Sequence, residues 1–209
     1  MISRSYFDQV APVWPQLQQS FFSEAVREKA FEVAGLKAGL IAADIGAGAG
    51  FMTEGLLARG LRVIAVDQSE AMLEQMRSKF ADSSHLDLRL GSAENLPIEN
   101  YEVDCAFANM YLHHVPQPPQ AIAEMARILK PGGRLVITDL DKHSYQFLKT
   151  EHHDRWLGFK RETVRRWFEE AGLKAISVEG VGQNCCATSS CGGECASVGI
   201  WVARGVKEE

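Results

Sequence analysis

A doubly wound α/β domain built on a parallel sheet is the fold this sequence predicts. Three observations carry the prediction. Short apolar runs alternate with amphipathic stretches along nearly the whole chain, the pattern of βα units whose strands are buried on both faces. The first such run, Leu40-Ile41-Ala42-Ala43-Asp44-Ile45, opens into a glycine-rich turn, Gly46-Ala47-Gly48-Ala49-Gly50. The length, 209 residues, suits one domain or one domain with a small annex, at roughly 150 residues per domain.

Each element follows in order. Residues 1–19 hold Tyr6, Phe7, Val10, Val13, Trp14 and Leu17, interrupted by Pro12 and Pro15, and read as an apolar but poorly helical lead-in. Residues 20–35 carry Phe21, Phe22, Ala25, Val26, Ala30, Phe31 and Val33 at helical spacing, with Gly35 as a stop. Strands are expected at 40–45, 61–67, 86–90, 103–109 and 134–139. Helices are expected at 52–59, 69–80 (Ser69 as N-cap), 118–129 and 160–171. Lys130-Pro131-Gly132-Gly133 closes the helix before the fifth strand. The last two strands, 174–180 and 196–203, have no helix between them, so they should form an antiparallel pair. Residues 1–35 are expected to cap the main domain, 36–209, and to exclude water from its ligand face.

Composition narrows the function. Hydrophobic residues make up 46% and charged residues 23%, which excludes a disordered chain. A net charge of −5 lacks the cationic excess that grips phosphate backbones, so no nucleic-acid partner is expected. No apolar run approaches a bilayer span, and the N-terminus has no signal-like apolar core. A cytoplasmic protein without a membrane partner is therefore expected, and in a reducing compartment the cysteines should not form a disulfide framework.

The glycine turn is the strongest motif. Ligands of open α/β sheets sit beyond the carboxyl ends of the strands, and glycine there lets backbone approach a ligand closely. Asp67 ends the next strand, where an acid accepts hydrogen bonds from ribose hydroxyls. A dinucleotide fingerprint would need a small residue where Phe51 stands, and no Gly-Lys-Ser/Thr follows to make a P-loop.

DIGAGAG, AVDQSEAML, GSAENLPIENYEVDCAFANMYLHHV and EMARILKPGGRLVITD together resemble class I S-adenosylmethionine (SAM) dependent methyltransferases over about residues 40–180. They look closest to the type 11 branch of ubiquinone and menaquinone methyltransferases and many small-molecule methyltransferases. The resemblance implies a Rossmann-like sheet of seven strands with the last inserted antiparallel. It implies that Asp44, Gly46, Ala47 and Gly48 form the loop under the methionine moiety and that Asp67 holds the ribose. Gln68 and Met72 would flank the adenine, Ser92, Ala93 and Glu94 would meet its edge, and Asn109 and Met110 would face the sulfonium. Ser92 stands where the family often has aspartate, and its hydroxyl accepts more weakly. SAM is an activated donor, so transfer needs alignment and dryness more than acid–base groups. No catalytic residue is assigned.

Two further clusters remain. His113 and His114 follow the fourth strand; His143, His152 and His153 follow the fifth. All five are candidates for the wall of a small-molecule substrate pocket, beside the plainer reading of histidines satisfied at turns. His152-His153-Asp154 also invites a metal reading, although neighbouring side chains diverge. Cys185, Cys186, Cys191 and Cys195 crowd the stretch after the sixth strand. They read as ligands of zinc, as ligands of a soft metalloid such as arsenite, as redox thiols, or as packing like Cys105. Arsenite methyltransferases are similar enzymes with several cysteines, but they carry one in their N-terminal part, and none precedes Cys105 here. The expected function is thus SAM-dependent methylation of a small molecule, with arsenite as one candidate. The rival class is a non-catalytic metal- or SAM-sensing protein. Oligomeric state is not legible.

Overall fold

The computed structural model describes residues 2–21, 23–190 and 193–208. These form a seven-stranded sheet: β1 (Ile41–Ile45), β2 (Arg62–Asp67), β3 (Leu86–Leu90), β4 (Val103–Asn109), β5 (Leu129–Leu140), β6 (Leu173–Thr188) and β7 (Cys195–Lys207). The spatial order is β3-β2-β1-β4-β5-β7-β6. The first five strands run parallel, and β7 lies antiparallel between β5 and β6. The expected doubly wound sheet with an inserted antiparallel strand is what forms. The order reverses between β1 and β4, so their carboxyl ends open the crevice where ligands of such sheets sit.

The helices are α1 (Ile2–Val10), α2 (Trp14–Phe21), α3 (Glu24–Ala34), α4 (Phe51–Ala58), α5 (Glu70–Lys79), α6 (Pro118–Ile128), α7 (Phe147–Glu151) and α8 (Arg161–Glu170). The central strands are covered on both faces because their apolar residues are continuous. Ala43, Ile45, Ala106, Ala108, Leu135 and Ile137 face α6 and α8 through Ile122, Met125, Val164 and Phe168. The intervening Ala42, Val63, Ala65, Cys105, Phe107 and Val136 face α3, α4 and α5 through Phe31, Leu56, Leu73 and Met76. Period-two alternation thus feeds two cores from the same strands. No described helix is long and apolar enough to cross a membrane.

Three expectations need correction. Residues 2–21 are helical and not a poorly helical lead-in: α1 runs into a 3-10 turn, Ala11–Val13, and then α2. Pro12 and Pro15 fall in the first turns of those elements, where a missing N–H breaks no helical bond. α3, within the segment expected as a cap, packs in the core against the sheet. The cysteine stretch is mostly strand, since β6 continues through Cys185 and Cys186 and β7 begins at Cys195.

Candidate functional site

The turn after β1 is shaped by its glycines. Gly46, Gly48 and Gly50 adopt φ of +70°, +54° and +89°, a region that costs other residues roughly 1–2 kcal/mol. Gly50 supplies no side-chain cap to α4. Asp44, at the end of β1, does so: its Oδ2 accepts from the Thr53 N–H (3.0 Å) and the Thr53 hydroxyl (2.6 Å). Asp67, at the end of β2, braces the other side, accepting the Gly48 N–H on Oδ2 and the Ser69 N–H on Oδ1, both at 2.9 Å. Ser69 caps α5 by accepting the Met72 N–H and donates to Asp8 Oδ1 of α1 (2.6 Å). The first helix is thus tied to the turn that carries Asp67.

Burial dominates both acids. It raises the Asp67 carboxyl, against backbone N–H donors that pull it down. It lifts Asp44 to about 6, against the Thr53 hydrogen bonds and helped by the nearby Asp67 charge. A carboxyl raised on folding holds its proton better in the native state, so stability falls as pH rises from the unfolded value near 4 through 6. In Asp44→Asn the amide oxygen keeps both Thr53 donors and cannot ionise. Its stability relative to wild type is expected to improve by about 2–3 kcal/mol between pH 4 and 7.5, at 1.36 kcal/mol per unit. Urea melts of both proteins at the two pH values measure this; a constant difference would refute it.

A cavity starts at this turn and runs along the ends of β1, β4 and β5. Its wall on this side contains Asp44, Gly46, Ala47, Gly48, Asp67, Gln68, Met72, Asn109 and Met110, residues that the family resemblance nominates for the cofactor. Ser92, Ala93 and Glu94 do not line it. Tyr111 intervenes: its ring lies where a Cβ on Gly46 would be, and its phenol oxygen bonds the Ala93 backbone. Burial, then the Asp67 and Glu94 charges, push that phenol far up, so it stays protonated. The sequence reading missed Tyr111. The roof is Tyr6, Phe7, Trp14, Gln18 and Phe21 from α1 and α2, within the segment expected to cover the ligand face.

The far wall is a polar cluster inside an apolar lining. His113 and His114 sit on a 3-10 turn, Leu112–His114, after β4, and both are buried. Asp139, fully buried near the end of β5, holds His113 Nδ1 at 2.8 Å and accepts the His113 N–H. Asp154 Oδ1 faces His113 Nε2 at 3.8 Å. Burial opposes charge on His113, but Asp139 and Asp154 outweigh it and raise its pKa. Burial, then the charge of His113, press His114 well down, so it is a neutral imidazole. Of the other candidates, His152 lines the cavity with neither ring nitrogen hydrogen-bonded. His143 lies outside the lining; burial, then the His113 and Lys142 charges, bring it to about 4. His153, at φ +59°, turns away to pack on Tyr6, centroids 4.6 Å apart. That kink separates the His152-His153-Asp154 triplet and lets Asp154 alone join His113.

The described cysteines do not form the metal cluster that their spacing allowed. Cys185 and Cys186 are consecutive strand residues, so they point to opposite faces. Cys185 lines the cavity, while Cys186 and Cys195 are exposed. Burial, then the Asp154 charge, push the Cys185 thiol up to about 12, which keeps it protonated. Cys191 lies outside the described residues. Among these residues, the group with metal-ligand spacing is His113, His114 and Asp154.

Residues 43–137 match the family described as "Methyltransferase domain". The chain is 34% identical over 142 residues to the biotin biosynthesis bifunctional protein BioHC of Cellvibrio japonicus, covering 64% of this chain and 28% of that protein. It is 30% identical over 156 residues to the ubiquinone biosynthesis O-methyltransferase of Dechloromonas aromatica, covering 68% of this chain and 67% of that enzyme. Other relatives are longer, and the chain spans only about a third of their length. Among solved structures, YcgJ of Bacillus subtilis superposes with a TM-score of 0.75 at 17% identity, covering 90% of this chain and all of that one. A Haemonchus contortus phosphoethanolamine N-methyltransferase superposes with a TM-score of 0.79 at 16% identity, covering 97% of this chain and 58% of the other. At such identities the superpositions speak to the fold.

Proposed function

The chain belongs to the class I SAM-dependent methyltransferases, and we propose that it transfers the methyl group of SAM to a small molecule held at the histidine end of the cavity. One observation carries this reading. A single cavity joins the glycine turn and Asp67 to His113, His114, His152 and Asp154 beneath α1 and α2. In this reading Asp67 accepts from the ribose hydroxyls, Gln68 and Met72 flank the adenine, and the turn at 46–48 carries the methionine moiety near Asp44. Asn109 and Met110 stand at the sulfonium. Ser92, Ala93 and Glu94 reach the adenine edge only if Tyr111 rotates away from Gly46.

The acceptor end mixes Phe7, Phe21 and Leu148 with the histidines and Asp154. That lining favours an acceptor with an apolar body and one protic group, in keeping with relatives named for quinone biosynthesis. A metalloid substrate is poorly served, because Cys185 alone of the described thiols of the C-terminal cluster faces the cavity. Residues 2–21 act as the cap, tied through Asp8 to Ser69, and exclude water during transfer.

The test is calorimetric titration with SAM, followed by S-adenosylhomocysteine formation across phenol, hydroquinone, amine, thiol and arsenite acceptors. The expected result is micromolar binding and turnover of at least one apolar protic acceptor. A chain lacking residues 2–21 should stay folded and turn over at least tenfold more slowly. A wild-type protein that binds SAM but transfers to none of these acceptors would favour the sensing role instead.

A further inference from the structure

We propose that His113, His114 and Asp154 form a binding site for one divalent transition-metal ion at the acceptor end of the cavity. Their donor atoms all lie within 4.8 Å of one another. The three residues are 5%, 7% and 7% exposed, and all line the cavity. Zinc bonds of about 2.0–2.2 Å in a tetrahedral site place ligand atoms about 3.3 Å apart. Side-chain closure of at most about 1.5 Å between the widest pair therefore completes the set, with the remaining positions open to the cavity.

The surroundings of the cluster support the site independently of that distance. Asp139 Oδ1 takes His113 Nδ1 at 2.8 Å and also accepts the Leu140 N–H at 2.7 Å. Its other oxygen accepts the His113 N–H at 3.2 Å. The ring is therefore fixed with Nε2 turned to Asp154. A carboxylate behind a histidine is the usual outer support of a metal-bound imidazole. The His114 ring is placed by its Nδ1 contact with the His153 carbonyl, 3.4 Å away. Asp154 is delivered by a backbone pinned to the same turn, since the Arg155 and Trp156 N–H groups both donate to the His113 carbonyl at 3.0 Å. Asp139 and Asp154 thus both face the His113 ring, one on each nitrogen.

Donor chemistry selects the ion. Two imidazoles and one carboxylate suit zinc or another first-row transition metal, whereas magnesium and calcium prefer an all-oxygen set. The role of the ion rests on the methyl-transfer reading: an acceptor oxygen on an open position would be acidified and held beside the sulfonium. The site itself does not depend on that reading.

The test uses the full chain freed of metal with a chelator, titrated with zinc alone by calorimetry, and with cobalt(II) for its visible absorption. Wild type is expected to bind one equivalent, show cobalt bands and gain melting temperature with zinc. Asp154→Asn and His114→Gln should each weaken zinc at least tenfold while still melting cooperatively without metal, so that the loss is not one of folding. The double variant Cys186→Ser/Cys195→Ser should bind like wild type. No binding by wild type, unchanged binding in both cavity variants, or loss in the cysteine double variant overturns the site. SAM is titrated in parallel. Zinc binding without SAM binding would sink the methyl-transfer reading and leave the metal site standing.

Discussion

Asp67→Ala is expected to weaken SAM binding on the order of a hundredfold or more and to lower the melting temperature as well. Both effects come from one carboxylate. Asp67 is 8% exposed and already accepts the Gly48 and Ser69 N–H groups. Asp67 also lines the cavity, where two ribose hydroxyls would donate to it. Hydrogen bonds to a charged group contribute about 1.5–3 kcal/mol each, so losing two costs roughly a hundredfold at the least. Truncation also strands two buried N–H donors, at about 1–3 kcal/mol each. Asp67→Asn separates the two effects. Its amide oxygen keeps one backbone donor, so it should recover most of the stability and little of the affinity. Calorimetry and thermal melts on the three proteins decide the matter, and equal SAM affinity for Asp67→Ala and wild type would remove the ribose assignment.

Asp67 also shows which parts of the site could be read from sequence. An acid closing one strand and a glycine turn closing the one before are local signals, and chain order alone puts them side by side. The parallel strands were legible for a related reason. Strands buried on both faces are apolar in their interiors, and the runs at 41–45, 62–67 and 103–109 confine their polar residues to positions at or next to their ends, Asp44, Arg62, Asp67, Asp104 and Asn109. The prolines misled because Pro12 and Pro15 break a helix in its interior but not in its first turn. The cysteines misled because the Gly/Ser/Cys-rich run from Gly182 looks like the end of a strand, whereas in the structure Gly182 takes φ +77° at a register shift between Gly180 and Asn184. The ladder resumes beyond them and sends Cys185 and Cys186 to opposite faces. The acceptor end was the least legible. His113 meets Asp139 and Asp154 across 26 and 41 positions, a meeting made by the return of β5 and the chain after α7 and by no local pattern. The pairing of Tyr111 with Gly46 is equally non-local, although a glycine at the mouth of the crevice signals that something large approaches there.

The segment that delivers Asp154 depends on Gly158, and Gly158→Ala is expected to be the most damaging single-methyl change near the site. Gly158 sits at φ +62°. A Cβ there would overlap the Asp141 carbonyl oxygen and lie 2.8 Å from the Leu140 carbonyl oxygen. Neither oxygen can retreat easily. Leu140 O accepts the Phe159 backbone N–H at 3.0 Å and the Trp201 indole N–H at 2.8 Å, and the Asp141 N–H donates to the Gly199 carbonyl at 2.8 Å. The left-handed conformation costs about 1–2 kcal/mol and the overlap about 1–3 more. A total near 3 kcal/mol corresponds to a fall of roughly 6–12 °C in melting temperature for a chain of this size. Gly172→Ala is the matched control: its φ is +79°, but a Cβ there meets nothing within 4 Å, so it pays the backbone term alone. Gly158→Ala should therefore melt several degrees below Gly172→Ala. It should also lose methyl transfer and zinc affinity at temperatures where it remains folded, because the backbone that carries Asp154 to His113 turns on this residue. Identical melting temperatures for the two variants would mean that the chain at 154–159 yields without cost, and the placement of Asp154 would then not be fixed by this turn.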